Sequence, residues 1–229
     1  MPFYAKIIAG LVVAAAIGCG VASTSSKTVD VSEYAPVVNA ETASSESKVM
    51  QTAVFAGGCF WGVEAVFENV KGVKDVKSGY AGGDAKTAKY DVVSGGQTEH
   101  AEAVLVKYDP TKVTYIQLLT IFFSVAHDPT QLNRQGPDTG PQYRSAIFYA
   151  NDDQKAKATE FIQAIDSSKA LAKPIVTQVV PLKQFFDAEA YHQDYLVRNP
   201  DQPYIVIHDK PKLEDLKKRF PDLYSGKKS

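Results

Sequence analysis

The chain has 229 residues, with 25 Lys and Arg against 26 Asp and Glu, a net charge of -1 and a 45% hydrophobic share. This balance offers no basic face for nucleic acid or another acidic polymer, and the length suits one globular domain of about 175 residues plus an N-terminal extension. Two cysteines cannot build a disulfide framework, and with no CxxC present a structural zinc site is not expected.

Lys6 and the apolar run 7–18 predict an export signal, too short to span a bilayer comfortably. Ala16-Ile17-Gly18-Cys19 is similar to a bacterial lipobox. Residues 1–19 are therefore expected to be a signal peptide that delivers the protein to the periplasm or cell envelope, with Cys19 a candidate for lipidation. Ordinary cleavage near Gly20-Val21-Ala22 is the rival, and a cytosolic protein a third case. Residues 20–48 are rich in Ser, Thr, Ala, Val and Glu and read as a flexible tether, leaving 49–229 as a single catalytic domain.

Residues 52–56 are β-branched and apolar and predict a strand. After Gly57-Gly58, the positions Val63, Val66, Phe67 and Val70 recur at helical spacing. Cys59 thus stands where a strand turns into a helix N-terminus, where free N–H groups and the macrodipole favour a thiolate. Two readings of Cys59 follow: a nucleophile held ionised, or a small buried residue packed beneath Trp61, the only tryptophan.

Further strands are expected over 73–80, 101–108, 145–150 and 175–180. Helices are expected over 59–69, 115–126 with Thr114 as cap, from Asn151 or Asp152 onward, 187–197, and 212–220 stopped by Pro221. The order strand, helix, strand, strand, helix, strand predicts an α+β, ferredoxin-like split βαβ two-layer sandwich with a mixed sheet and extra C-terminal helices.

Glu102 lies between alanines on a strand apolar on both faces. Burial would raise its pKa and equip it as a general acid; on an edge strand it would simply sit in water. His100-Ala101-Glu102 also matches half of the zinc-deaminase signature, but the Pro-Cys-x-x-Cys partner is absent. The Gly/Pro-rich stretch 133–145 is long enough to be functional, or else a connector held by Arg134–Asp138 pairing. Tyr80, Tyr90 and Tyr143 are hydroxyl donors or packing residues. His127, His192 and His208 lack metal-ligand spacing and read as hydrogen-bonded structural or surface histidines.

Taken together, Gly58-Cys59-Phe60-Trp61-Gly62, Gly79-Tyr80-Ala81-Gly82-Gly83, Tyr90-Asp91-x-Val93, His100-Ala101-Glu102-Ala103-Val104 and Tyr108-Asp109-Pro110 form an ordered set. It continues with His127-Asp128-Pro129-Thr130, Arg134-Gln135-Gly136, Gln142-Tyr143-Arg144-Ser145 and His192-Gln193-x-Tyr195-Leu196. Over about residues 50–200 the set resembles the A-type peptide methionine sulfoxide reductases.

The resemblance implies thiol-dependent reduction of methionine S-sulfoxide, free or in proteins, through a sulfenic acid on Cys59. It implies Cys59 as nucleophile, Phe60 and Trp61 as the methyl pocket, Glu102 as proton donor, Tyr90 and Tyr143 as further donors, and Asp138 near the site. No cofactor or metal is implied. The expected partners are oxidised proteins, peptides or free methionine sulfoxide, and a thiol reductant such as thioredoxin, glutaredoxin or a small thiol. Nucleic acid is not among them, and the chain is expected to be a monomer that meets a membrane only through its N-terminal anchor.

Two features depart from the family pattern. No cysteine follows Cys59, where many members carry recycling cysteines near the C-terminus, so a single-cysteine type restored from outside is expected. A flexible tether of some 40 residues reaches about 35 Å, so Cys19 is within range of Cys59, but lipidation would consume its thiol. Glu99 precedes His100 where glycine is usual. Rival functions are a thiol peroxidase, a Cys–His hydrolase using His100, and a non-catalytic envelope lipoprotein that binds peptides through the Trp61 pocket.

Overall fold

A computed structural model describes Val31 and residues 49–227; the predicted signal, Cys19 and most of the predicted tether lie outside the described residues. Within them, Val31 is buried in the main core and its N–H donates to Ser124 Oγ at 3.2 Å.

The sheet is built from β1 (Gln51–Gly57), β2 (Val73–Ala81), β3 (Ala101–Tyr108), β6 (Ser145–Tyr149), β7 (Gln178–Pro181) and β8 (Phe185–Asp187). Two further short strands, β4 (Arg134–Gln135) and β5 (Asp138–Thr139), pair as a separate hairpin. The six-stranded order is β7-β6-β1-β3-β2-β8; β6 and β7 run parallel and every other pairing is antiparallel, so the sheet is mixed. The helices are α1 (Phe60–Glu68), α2 (Tyr90–Val93), α3 (Tyr115–Ile121), α4 (Asp152–Ser168), α5 (Tyr195–Arg198) and α6 (Lys210–Arg219). The result is a mixed α+β fold.

Strand alternation sorts the side chains into two cores. Ala53 and Phe55 of β1, with Val104 and Val106 of β3, join the aromatic cluster under α1, α3 and α4 that includes Phe67, Phe122 and Phe161. Val54, Ala56, Ala101, Ala103, Ala146 and Phe148 form a smaller cluster on the opposite face. Burial on both faces explains why β3 reads as a near-continuous apolar run. It also places Glu102 on the helical face in step with Val104, at 2% exposure, which excludes the solvated edge-strand alternative.

Three expectations are corrected. The helix expected over 115–126 ends at Ile121 and continues as a π-turn, Phe122–Ala126, although Thr114 and Gln117 form the capping box its sequence suggests. The helix expected over 187–197 is only α5, because Phe185 and Phe186 pair with β2 as an edge strand and the chain then turns through the left-handed Asp194. Arg134 does not pair with Asp138; its Nη2 donates to the Gly136 carbonyl at 2.7 Å inside the β4–β5 hairpin.

α1 also carries a buried acid. Glu64 is 2% exposed, its Oε1 accepts from the Ser78 N–H at 3.3 Å, and burial with neighbouring Glu68 and Asp194 pushes it from 4.5 up to about 8. Between those values the folded chain keeps a proton that the unfolded chain has released, so stability falls as pH rises through the interval. Glu64→Gln removes that loss and keeps an acceptor for Ser78. Thermal melts are expected to show the variant gaining on the parent between about pH 5 and 8, by several degrees at the upper end.

Candidate active site

The sharp turn before α1 depends on Gly58, whose φ of +93° suits glycine and whose missing Cβ would lie 2.6 Å from Gln135 Cβ. The turn delivers Cys59 to the N-cap position of α1. Its side chain makes no capping hydrogen bond there. The Phe60 N–H, which opens the helix, instead donates to Glu102 Oε2 at 3.1 Å, across from β3. Nucleophile candidate and acid candidate therefore meet at the same helix start, 43 residues apart in sequence.

Burial pushes Glu102 from 4.5 up to about 8; the Phe60 N–H resists and Asp138 adds to the rise. Near neutral pH it holds a proton, as expected of a general acid. The thiol corrects the expectation of a held thiolate. Burial pushes Cys59 well up, the charges of Glu102, Asp209 and Asp138 push further, and the Trp61 backbone N–H offsets only part of this. The helix terminus favours an anion as expected, but its first donor serves the carboxyl group and the sulfur is surrounded by acids. At rest, then, both groups are neutral.

Phe60 is fully buried beside Tyr80 and His192, with centroids 6.0 and 4.9 Å away. Trp61 stacks flat on Tyr195 at 3.7 Å, meets Tyr204 edge-on at 6.0 Å, and donates through Nε1 to His192 Nδ1 at 3.1 Å. His192 also packs against Tyr90 at 4.5 Å, so the hydrogen-bonded structural role expected of it is exercised beside the candidate site. Tyr90 opens α2, held by its N–H to Glu189 Oε1, while Tyr80 donates to the other oxygen of Glu189. Tyr143 closes the 3-10 turn Pro141–Tyr143. Burial raises the hydroxyl pKa values of Tyr90 and Tyr143, and both also feel the charges of Glu102 and Cys59, so they remain proton donors.

Asp138 is half-buried on β5 and accepts a hydrogen bond from the Tyr204 hydroxyl. All seven expected site residues thus belong to one group around the first turn of α1: Glu102 through its hydrogen bond with the Phe60 N–H, and Asp138, Tyr90 and Tyr143 through their electrostatic contact with Cys59. Its other members, His192, Tyr195, Tyr204 and Asp209, come from the C-terminal segment. His192 and Tyr195 fall in a motif visible in sequence; no periodicity points to Tyr204 or Asp209. His100 is sealed elsewhere: its Nδ1 accepts from the Gly83 N–H at 3.3 Å and its Nε2 lies 2.9 Å from the Asp84 carbonyl. His127 is structural, bonded to the Phe122 carbonyl and Ser145 Oγ. Among the described residues no cluster of three potential metal ligands occurs.

The sequence profile for peptide methionine sulfoxide reductase matches residues 51–223. The chain belongs to the peptide methionine sulfoxide reductase family. Among relatives, peptide methionine sulfoxide reductase MsrA 2 of Mesorhizobium japonicum is 56% identical over 177 residues, covering 77% of this chain and 91% of its own. Its namesake from Synechocystis is 51% identical over 187 residues, covering 82% and 87%. The reduced form of Mxr1 from Saccharomyces cerevisiae superposes with a TM-score of 0.63 at 36% identity, over 67% of this chain and 87% of that one. Methionine sulfoxide reductase A of Corynebacterium diphtheriae gives 0.57 at 34%, over 68% and 77%. Gly62 has a local reason in this chain, since a Cβ there would fall 2.0 Å from Asp209 Oδ1.

Proposed function

We propose that the protein reduces methionine S-sulfoxide, free or in proteins, with Cys59 as nucleophile and Glu102 as the acid. The observation that carries this is the meeting of Cys59 and the Glu102 carboxyl at the first turn of α1, where the Phe60 N–H binds that carboxyl at 3.1 Å. Phe60 and Trp61 receive the methyl group, and Tyr90 and Tyr143 donate to the sulfoxide oxygen, with Asp138 and Tyr204 completing the group.

The chemistry needs two protons at the oxygen and one electron pair at the sulfur. Glu102 and the Cys59 thiol supply the protons as the Cys59 sulfur bonds to the sulfoxide sulfur, and the oxygen leaves as water. Water then attacks the Cys59 sulfur, the S–S bond breaks toward methionine, and Glu102 recovers a proton. Cys59 is left as a sulfenic acid, oxidised by two electrons while the sulfoxide is reduced by two. Two equivalents of an external thiol return it to the thiol, forming a disulfide and water.

Mass spectrometry after one turnover without reductant tests this: one added oxygen is expected on the Cys59 peptide, with the S epimer consumed. An unmodified Cys59 after sulfoxide has been consumed would refute it. The rival hydrolase reading finds its base, His100, bonded away from the site.

The split βαβ reading of the fold is supported by the order β6-β1-β3-β2 with α1 and α3 crossing between. Export, lipidation of Cys19, envelope localisation and a monomeric state stay part of the proposal, the first three supported by Lys6, the apolar run 7–18 and the lipobox-like 16–19. Radiolabelled fatty acid incorporated into the parent and lost in Cys19→Ala is the expected result.

A further inference from the structure

Gly62 follows the N-cap residue Cys59 by three positions and lies in the first turn of α1. A Cβ on Gly62 would lie 2.0 Å from Asp209 Oδ1 and 2.7 Å from both Asp209 Cγ and Lys212 Nζ. The Asp209 carboxylate therefore fills the place of a side chain one helical turn from the sulfur. It is fully buried; Oδ1 accepts from Lys212 Nζ at 3.1 Å, and Oδ2 has no hydrogen-bond partner among the described residues. A buried ion pair with an unpaired oxygen is a poor stabilising device, because desolvation offsets the attraction. Its placement gives it an electrostatic role instead.

We infer that Asp209 is a positioning residue that sets the acidity of Cys59 through the first turn of α1, with Lys212 pinning the carboxylate there. The fixed negative charge disfavours the thiolate and keeps the sulfur neutral until a substrate oxygen arrives to take the proton. The benefit to turnover rests on the proposed reductase reading; the effect on the thiol does not.

The other groups facing the sulfur are Glu102 from β3, Asp138 from β5, and the hydroxyls of Tyr90, Tyr143 and Tyr204. Those facing Asp209 are Lys212 and His208, which favour its charge, and Asp138, which opposes it. Burial raises Asp209, and the Lys212 ammonium works against that rise.

The test is the pH dependence of iodoacetamide alkylation in the full chain, read on the Cys59 peptide by mass spectrometry so that Cys19 does not contribute. Asp209→Asn and Asp209→Ser both remove the charge while differing in shape. Each is expected to lower the alkylation midpoint by about one unit. At pH 7 alkylation should be about threefold faster, since roughly tenfold more thiolate is partly offset by its weaker nucleophilicity. Either variant, folded but with a midpoint at or above the parent's, overturns the inference. Loosening that wets the sulfur would also make the thiol more acidic. Asp209→Glu, which keeps the charge while disturbing the packing, is therefore expected to hold the parent's midpoint, and a midpoint lowered as far as in the neutral variants would overturn the inference as well. If the parent fails to reduce sulfoxide while the neutral variants still shift the midpoint, the proposed function falls and this inference stands.

Discussion

Cys59→Ser is expected to abolish sulfoxide reduction, by at least about 10⁴-fold in turnover with dithiothreitol as reductant. Two losses combine. A serine hydroxyl is a far weaker nucleophile toward sulfur, and serine has no sulfenic acid state to carry the two electrons onward. The fold should survive, because serine is a strong N-cap residue and position 59 caps α1 without a side-chain hydrogen bond of its own. An unchanged melting temperature with turnover gone separates chemistry from packing; retained sulfoxide consumption, measured by chromatography of the product methionine, would sink the assigned nucleophile.

Glu102→Gln should cut kcat by about 10²- to 10⁴-fold while moving KM little, since the proton is needed only as the S–O bond breaks. The amide oxygen still accepts from the Phe60 N–H, so the helix start is preserved. The pH profile is the sharper readout. With Glu102 raised to about 8, the parent's kcat should fall as pH rises through that value and the acid loses its proton. The residual rate of the variant should lack that limb. Equal kcat in the two proteins, or the same decline in both, would remove Glu102 from the acid role.

How the thiol behaves in that profile shows where sequence and structure part. Gly57-Gly58-Cys59 before a helical repeat was enough to place Cys59 at a helix start, and two-sided apolarity was enough to bury Glu102. Both follow from local periodicity, which a single sequence displays. The charge state of the sulfur did not follow, because Asp209 and Asp138 approach it from 150 and 79 residues away. Tyr204 was invisible for the same reason: only the return of the C-terminal segment against α1 brings it to Asp138 and Trp61. His192 is the hydrogen-bonded structural histidine its spacing suggests, but only the fold shows that its partner is the Trp61 indole N–H.

By itself the sequence determined that Cys59 stands at a helix start and that Glu102 is buried on a central strand, since strand and helix periods and the turn at Gly58 are local. Tertiary structure alone decided how acidic those residues are and what surrounds them. Desolvation and the charges of distant segments are properties of what packs around a group, and neighbours in space need not be neighbours in the chain.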